Sequence, residues 1–118
     1  MAEILTVEDE PLVRFLIVET LTDMGHTVRE AGNGEEALAI LRNAEKIDVI
    51  VTDVRMPKLD GFALARAARE IRPEIPFVFM TGYSGTAMPE EFTGDRILGK
   101  PFAPETLIAT INKILGTA

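Results

Sequence analysis

Cysteine is absent from the 118-residue chain, and cationic side chains are few: 12 Lys and Arg stand against 19 Asp and Glu, a formal net charge of −7. Without cysteine there is neither a disulfide nor a thiolate metal centre. An acidic chain has no basic surface to neutralise phosphates, so nucleic acid is not an expected partner. Hydrophobic residues make up 47% of the chain, yet no apolar stretch approaches the roughly 18 residues of a membrane span. The opening Met1-Ala2-Glu3 lacks the basic start of a signal peptide. A cytoplasmic protein with no membrane segment is the expectation.

What is present suits one compact domain spanning residues 1–118. Charged residues are 26%, ordinary for a globular protein, and a chain of this length buries roughly two-thirds of its unfolded surface. No linker, internal repeat or low-complexity tract interrupts it, and no output domain is expected. Short apolar runs alternate with helix-length periodic segments, which predicts a parallel sheet covered by helices. The strands are expected at 3–8, 26–31, 48–53, 76–81 and 95–99. The first, third and fourth are apolar nearly throughout, as strands buried on both faces should be. The second, His26-Thr27-Val28-Arg29-Glu30-Ala31, is polar and reads as an edge.

The helices between them carry their own end signals. Pro11 suits a first helical position and Met24-Gly25 a stop. Asn33 with Glu36 resembles a capping box, and Asp60 can cap the helix that carries Phe62, Ala65 and Ala68. Leu107, Ile108, Ile111, Ile114 and Leu115 repeat at helical spacing before Gly116. The pattern is (βα)₅, with a short or irregular fourth helix because Pro89 and Gly94 leave little room. Arg66, Arg69 and Arg72 fall on successive turns of the third helix and read as a solvated face. His26, the one histidine, reads as exposed.

Carboxylates mark the strand ends. Val49-Ile50-Val51 leads into Thr52-Asp53, and Ile4-Leu5-Thr6-Val7 leads into Glu8-Asp9. A third run, Ile97-Leu98-Gly99, ends in Lys100-Pro101, and Phe77-Val78-Phe79-Met80 ends in Thr81-Gly82. Parallel strands share one carboxyl end, so these side chains are expected to meet. Two like charges 4 Å apart cost about 1 kcal/mol in water and about 4 at a protein surface. A hard divalent cation such as Mg²⁺, held by Glu8 and Asp9 beside Asp53 together with waters and substrate phosphate, offsets that repulsion. Asp53 is then placed to attack a phosphoryl group while the metal and Lys100 neutralise its oxygens. Thr81 can donate to a phosphoryl oxygen, and Gly82 keeps the approach open.

These pieces resemble the receiver domain of bacterial two-component response regulators over essentially the whole chain. The matching segments are Val7-Glu8-Asp9-Glu10-Pro11, Thr52-Asp53-Val54-Arg55-Met56-Pro57, Leu59-Asp60-Gly61, Met80-Thr81-Gly82 and Lys100-Pro101-Phe102. The resemblance implies a flavodoxin-like sheet in the order 2-1-3-4-5, a cis Lys100-Pro101 bond and Asp53 as phosphoacceptor. It implies Glu8 and Asp9 as the acidic pair, with Asp9, Asp53 and the Arg55 backbone carbonyl around Mg²⁺, and Thr81 and Lys100 on the phosphoryl group. It also implies a sensor histidine kinase or histidine phosphotransfer protein as donor, and a downstream protein partner met as monomer or weak dimer. Such a domain is not an enzyme beyond its own phosphorylation and dephosphorylation.

Relatives usually carry Tyr or Phe three residues before the lysine, where this chain has Ile97. Thr81, Tyr83 and Ile97 are therefore the switch candidates, with Tyr83 or a shift near Gly82 standing in for the missing ring. The stretch from Pro76 to Tyr83 is similar to a PFxFATG-like signature of alphaproteobacterial single-domain receivers. Receivers fused to hybrid histidine kinases share a TGY segment, so an excised hybrid-kinase receiver is the alternative context. An aspartyl-phosphate phosphatase is a further alternative, against which stands Arg55 where a second acid is wanted. A flavodoxin needs a glycine- and hydroxyl-rich phosphate loop, not Glu8-Asp9-Glu10.

Overall fold

The computed structural model describes residues 2–44, 46–82 and 88–116. The chain runs β1 (Glu3–Val7), α1 (Pro11–Asp23), β2 (Thr27–Ala31), α2 (Gly34–Asn43), β3 (Val49–Asp53), α3 (Gly61–Ile71), β4 (Phe77–Thr81), β5 (Arg96–Gly99) and α4 (Pro104–Leu115). The five strands are all parallel and ordered β2-β1-β3-β4-β5. This is the doubly wound, flavodoxin-like arrangement, with the polar second strand on an edge as its composition requires.

Strand side chains alternate between two cores. Leu5, Val7, Ile50, Phe77 and Phe79 pack with α2 and α3 residues such as Leu38, Leu41, Leu64 and Ala68. Ile4, Val49, Val51, Val78, Met80 and Leu98 pack on the opposite face with Ile17, Leu21, Leu107 and Ile111 of α1 and α4. Burial on both faces explains why β3 and β4 are buried along their whole length. The helix caps follow the sequence. Asn33 Oδ1 accepts from the Glu36 backbone N–H at 2.9 Å, and Asp60 Oδ1 accepts from that of Ala63 at 2.8 Å. Gly25, at φ 92°, turns the chain out of α1, a left-handed conformation that a glycine adopts without strain.

Three expectations are corrected. Among the described residues there are four α-helices and not five: the expected fourth, already read as short or irregular, is one 3₁₀ turn between β4 and β5, Glu90–Phe92. Pro89 precedes it, and Phe92 is drawn to full burial against Phe62 and Phe79, with ring centroids at 5.5 and 5.4 Å. The second correction concerns the α3 arginines. Arg69 holds both Asp95 oxygens at 3.1 and 2.7 Å and donates to the Ile75 carbonyl at 3.1 Å. Arg66 pairs with Glu91 at 2.7 Å, and Arg72 donates to the carbonyls of Leu41 and Ala44. The Asp95 carboxylate and the Phe77 and Phe92 rings replace solvent around Arg69, and the α2 carbonyls do so in part for Arg72, whereas Arg66 stays half exposed. His26, finally, is half-buried, because its Nδ1 accepts from the Ala2 backbone at 3.1 Å.

Candidate functional site

At their carboxyl ends β3, β4 and β5 are joined to one another, and β1 to β2, by backbone hydrogen bonds that run past the strands proper. Val54 N donates to the Met80 carbonyl at 2.9 Å and Lys100 N to that of Thr81 at 2.7 Å. Glu8 N likewise donates to the Ala31 carbonyl at 3.1 Å. Each residue that follows an apolar run is thereby fixed at the same rim. Asp53 pairs in register with Met80, so Thr81 stands one residue further along the neighbouring strand. The Lys100-Pro101 bond is cis.

Lys100 is the centre of the cluster. Its Nζ lies 2.6 Å from Glu8 Oε1 and 3.1 Å from Asp53 Oδ2. Glu8 is fully buried, while Asp53 and Thr81 are each only 8% exposed. The second Glu8 oxygen accepts from the Glu10 backbone N–H at 3.0 Å. Burial raises the Glu8 pKa above its ordinary value, and the Asp53 charge adds to that. The hydrogen bonds from Lys100 and Glu10 only partly oppose the rise. Burial alone would lower the Lys100 pKa, but its contacts with Glu8 and Asp53 outweigh that and raise it.

Asp9 is exposed beside this buried pair, and one oxygen from each of Glu8, Asp9 and Asp53 lies within 4.8 Å of the others. Three hard oxygen donors gather at one point while a single ammonium serves two of them, and that donor set fits Mg²⁺. The loop after β3 lies alongside: Arg55 is exposed, and with Met56, Pro57 and Asp60 it lines an open groove. α3 begins hard against the same strand end. Gly61 N donates to the Val54 carbonyl at 2.8 Å, and a Cβ at Gly61 would collide with the Asp53 carbonyl oxygen. Glycine is required there for α3 to start against the backbone at the end of β3.

The structure thus brings Glu8, Asp9, Asp53, Thr81 and Lys100 to one rim. Ile97 lies away from it, 44% exposed and in register with Phe79. Tyr83 lies outside the described residues. A Cβ at Gly82 would meet nothing within 4 Å, so the space around it is open. The residue that sequence reading missed is Arg14, whose Nη1 donates to the Glu8 carbonyl at 2.8 Å. Its place in the first turns of α1 (one turn after the acids) was the available signal.

Comparison with known proteins agrees with this geometry. Residues 4–112 match the model of the response regulator receiver domain. The chain is 39% identical over 118 residues to the sensor kinase CckA of Brucella abortus, covering 97% of this chain but 12% of that protein. It is 35% identical to the response regulator receiver protein CpdR of Brucella abortus, over 98% of each. The crystal structure of response regulator TrrA from Thermotoga maritima, in complex with Mg²⁺-BeF, superposes with a TM-score of 0.87 at 29% identity. That match covers 97% of this chain and 99% of TrrA. The chain belongs to the response regulator receiver domain family.

Proposed function

We propose that Asp53 is the phosphoacceptor of this receiver and that Glu8, Asp9, Thr81 and Lys100 assist it. The observation that carries the reading is one ammonium, Lys100 Nζ, held between Asp53 and Glu8 beside a third carboxylate at the strand ends. A carboxylate oxygen of Asp53 bonds to phosphorus as the phosphorus–nitrogen bond of a phosphohistidine breaks, and the freed imidazole takes up a proton. Lys100 neutralises a phosphoryl oxygen, and the Thr81 hydroxyl donates to another. Asp9, Asp53 and the Arg55 carbonyl would hold Mg²⁺, with Glu8 behind them gripping Lys100. When bound, the ion supplies positive charge that offsets carboxylate repulsion and the charge gathering on the phosphoryl oxygens. TrrA, crystallised with Mg²⁺-BeF, supports that assignment.

The donor in this reading is a sensor histidine kinase or a histidine phosphotransfer protein. The signal leaves by protein–protein contact in the cytoplasm, from a monomer or weak dimer, and the chain turns over no separate substrate. The match to CckA favours a second context, a receiver joined to a kinase, in which the same chemistry operates on Asp53. No helix among the described residues is long and apolar enough to cross a membrane.

Intact mass after acetyl phosphate, with and without Mg²⁺ and beside Asp53→Asn, tests the reading. One labile phosphoryl adduct that requires both Mg²⁺ and Asp53 is expected. Undiminished incorporation in Asp53→Asn would remove Asp53 from the role.

A further inference from the structure

Glu8 is held by two cations that reach it from different sides. Lys100 takes its carboxylate, and Arg14 takes its backbone carbonyl, with Nη1 at 2.8 Å. The same guanidinium is anchored at the far end by Glu30 of β2, Nε to Oε1 at 3.2 Å. Glu8 N is already committed to the Ala31 carbonyl at 3.1 Å, so both polar backbone atoms of Glu8 are tied to other parts of the fold. The Arg14 side chain is only 24% exposed. Gly32 makes room for it, since a Cβ there would stand 3.2 Å from Nη1.

We propose that Arg14 is a positioning residue for the acidic cluster, holding the turn between β1 and α1 so that Glu8 and Asp9 stay gathered beside Asp53. The proposal rests on the reading that Asp9 and Asp53 bind Mg²⁺ with Glu8 behind them. The turn carries Glu8, Asp9 and Glu10 in succession, and their mutual repulsion favours opening it. A guanidinium presents several donors in a fixed plane, so one side chain spans the Glu8 carbonyl and the Glu30 carboxylate together. A ligand set fixed before the ion arrives loses less freedom when it binds. No contact places Arg14 on Asp53 or Asp9. Its effect is exerted through the Glu8 backbone.

The sign of the effect separates positioning from simple charge. A cation removed from the neighbourhood of a Mg²⁺ site makes that site more attractive to Mg²⁺ by Coulomb's law. Weaker binding in Arg14→Ala therefore comes from a lost arrangement and not from lost charge. The measurement is calorimetric titration of the purified chain with MgCl₂, paired with thermal melting with and without the ion. Arg14→Ala is expected to weaken Mg²⁺ about tenfold, the scale of one charge-assisted hydrogen bond. Arg14→Lys keeps the charge but not the fork, and its loss is expected to be about threefold by the same reasoning. Glu30→Gln loosens the anchor but also removes a negative charge, which weakens Mg²⁺ binding by Coulomb's law alone, so Arg14→Lys, which keeps the charge, carries the test should Arg14→Ala fail to fold. Arg29→Ala, which removes an arginine 3.9 Å from Glu3 at the other end of the sheet, leaves the Kd unchanged.

Mg²⁺ binding that is unchanged or tighter in the Arg14 variants, with only a lower melting temperature, overturns the proposal and leaves Arg14 a structural tie. A wild-type chain that takes up no Mg²⁺ overturns the metal reading along with it. The two failures are thus distinct.

Discussion

Two clusters of wholly or partly buried charge sit on this fold, and they are built on opposite plans. Between α3 and the segment after β4, Arg69 faces Asp95 one to one, through two hydrogen bonds, with rings of Phe77 and Phe92 5.3 and 5.6 Å from the guanidinium. At the strand ends, three carboxylates gather and one lysine serves two of them. The first cluster is balanced and needs nothing further. The second is acid-rich, and the fully buried member, Glu8, has a raised pKa because of that burial. A fold that can make a neutral, largely buried pair in one place leaves another short of positive charge, where the proposed function would have a cation and a phosphoryl group received. Balance marks the structural site and imbalance the proposed functional one.

The comparison breaks most visibly at Arg69. Arg69→Met leaves the Asp95 carboxylate in a largely buried site and removes the donors on the Ile75 carbonyl. Loss of one partner of a fully buried pair costs about 3–5 kcal/mol; with Arg69 itself 25% exposed, about 2–4 is expected here. Adding Asp95→Leu to Arg69→Met should restore part of that loss, because no charge is then stranded. Mg²⁺ should not change either melting temperature difference. A Mg²⁺-dependent difference would mean the two clusters are coupled.

The second break is Lys100→Met, expected to cost about 2 kcal/mol at neutral pH, with a deficit that Mg²⁺ reduces. Its pH dependence follows from the signs of the two shifts. Lys100 is raised above 10.5 in the folded protein, so its stabilising contribution is complete below that value and is lost as pH rises through the folded pKa. Glu8 is raised above 4.5, and without Lys100 it rises further. The folded variant then binds a proton more readily than the unfolded chain, and stability is recovered as pH falls through the folded pKa. The difference between wild type and variant is therefore largest near pH 7–9 and closes towards both acid and strong alkali. Urea melts at pH 5, 8 and 11 check it. A deficit that widens at pH 5 contradicts the assigned burial of Glu8.

The strand-end cluster was the legible half of this contrast. Asp53, Thr81, Lys100 and Glu8 each follow an apolar run, and a parallel sheet brings such ends together whatever the strand order. The order itself came through family resemblance, since spacing does not rank the strands. The balanced half was not legible. Arg66 and Arg69 sit on a helix stripe that periodicity assigns to solvent, and nothing local says that Glu91 and Asp95, some 25 residues on, fold back over it. The same limit hid Arg14, whose partners Glu8 and Glu30 belong to two different strands' ends. Ile97 was readable as a departure from the family's aromatic, and its exposure on an edge strand adds where it points but not what replaces the ring.

A third kind of buried polar group sharpens the contrast by having no charge at all. Thr6 lies in the middle of β1 with no exposed surface, and its hydroxyl is the buried side-chain atom without a hydrogen-bond partner among the described residues. Valine has the same branched shape and carries a methyl in place of the hydroxyl, so Thr6→Val removes an unsatisfied group without opening a cavity. The substitution is expected to stabilise the fold by about 1 kcal/mol, a rise of a few degrees in Tm, with Mg²⁺ affinity unchanged. A loss of stability would mean that the hydroxyl is hydrated, and that water reaches the sheet two residues from Glu8. Glu8 would then sit in a wetter place than its contacts imply, and the large cost assigned to removing Lys100 would shrink with it.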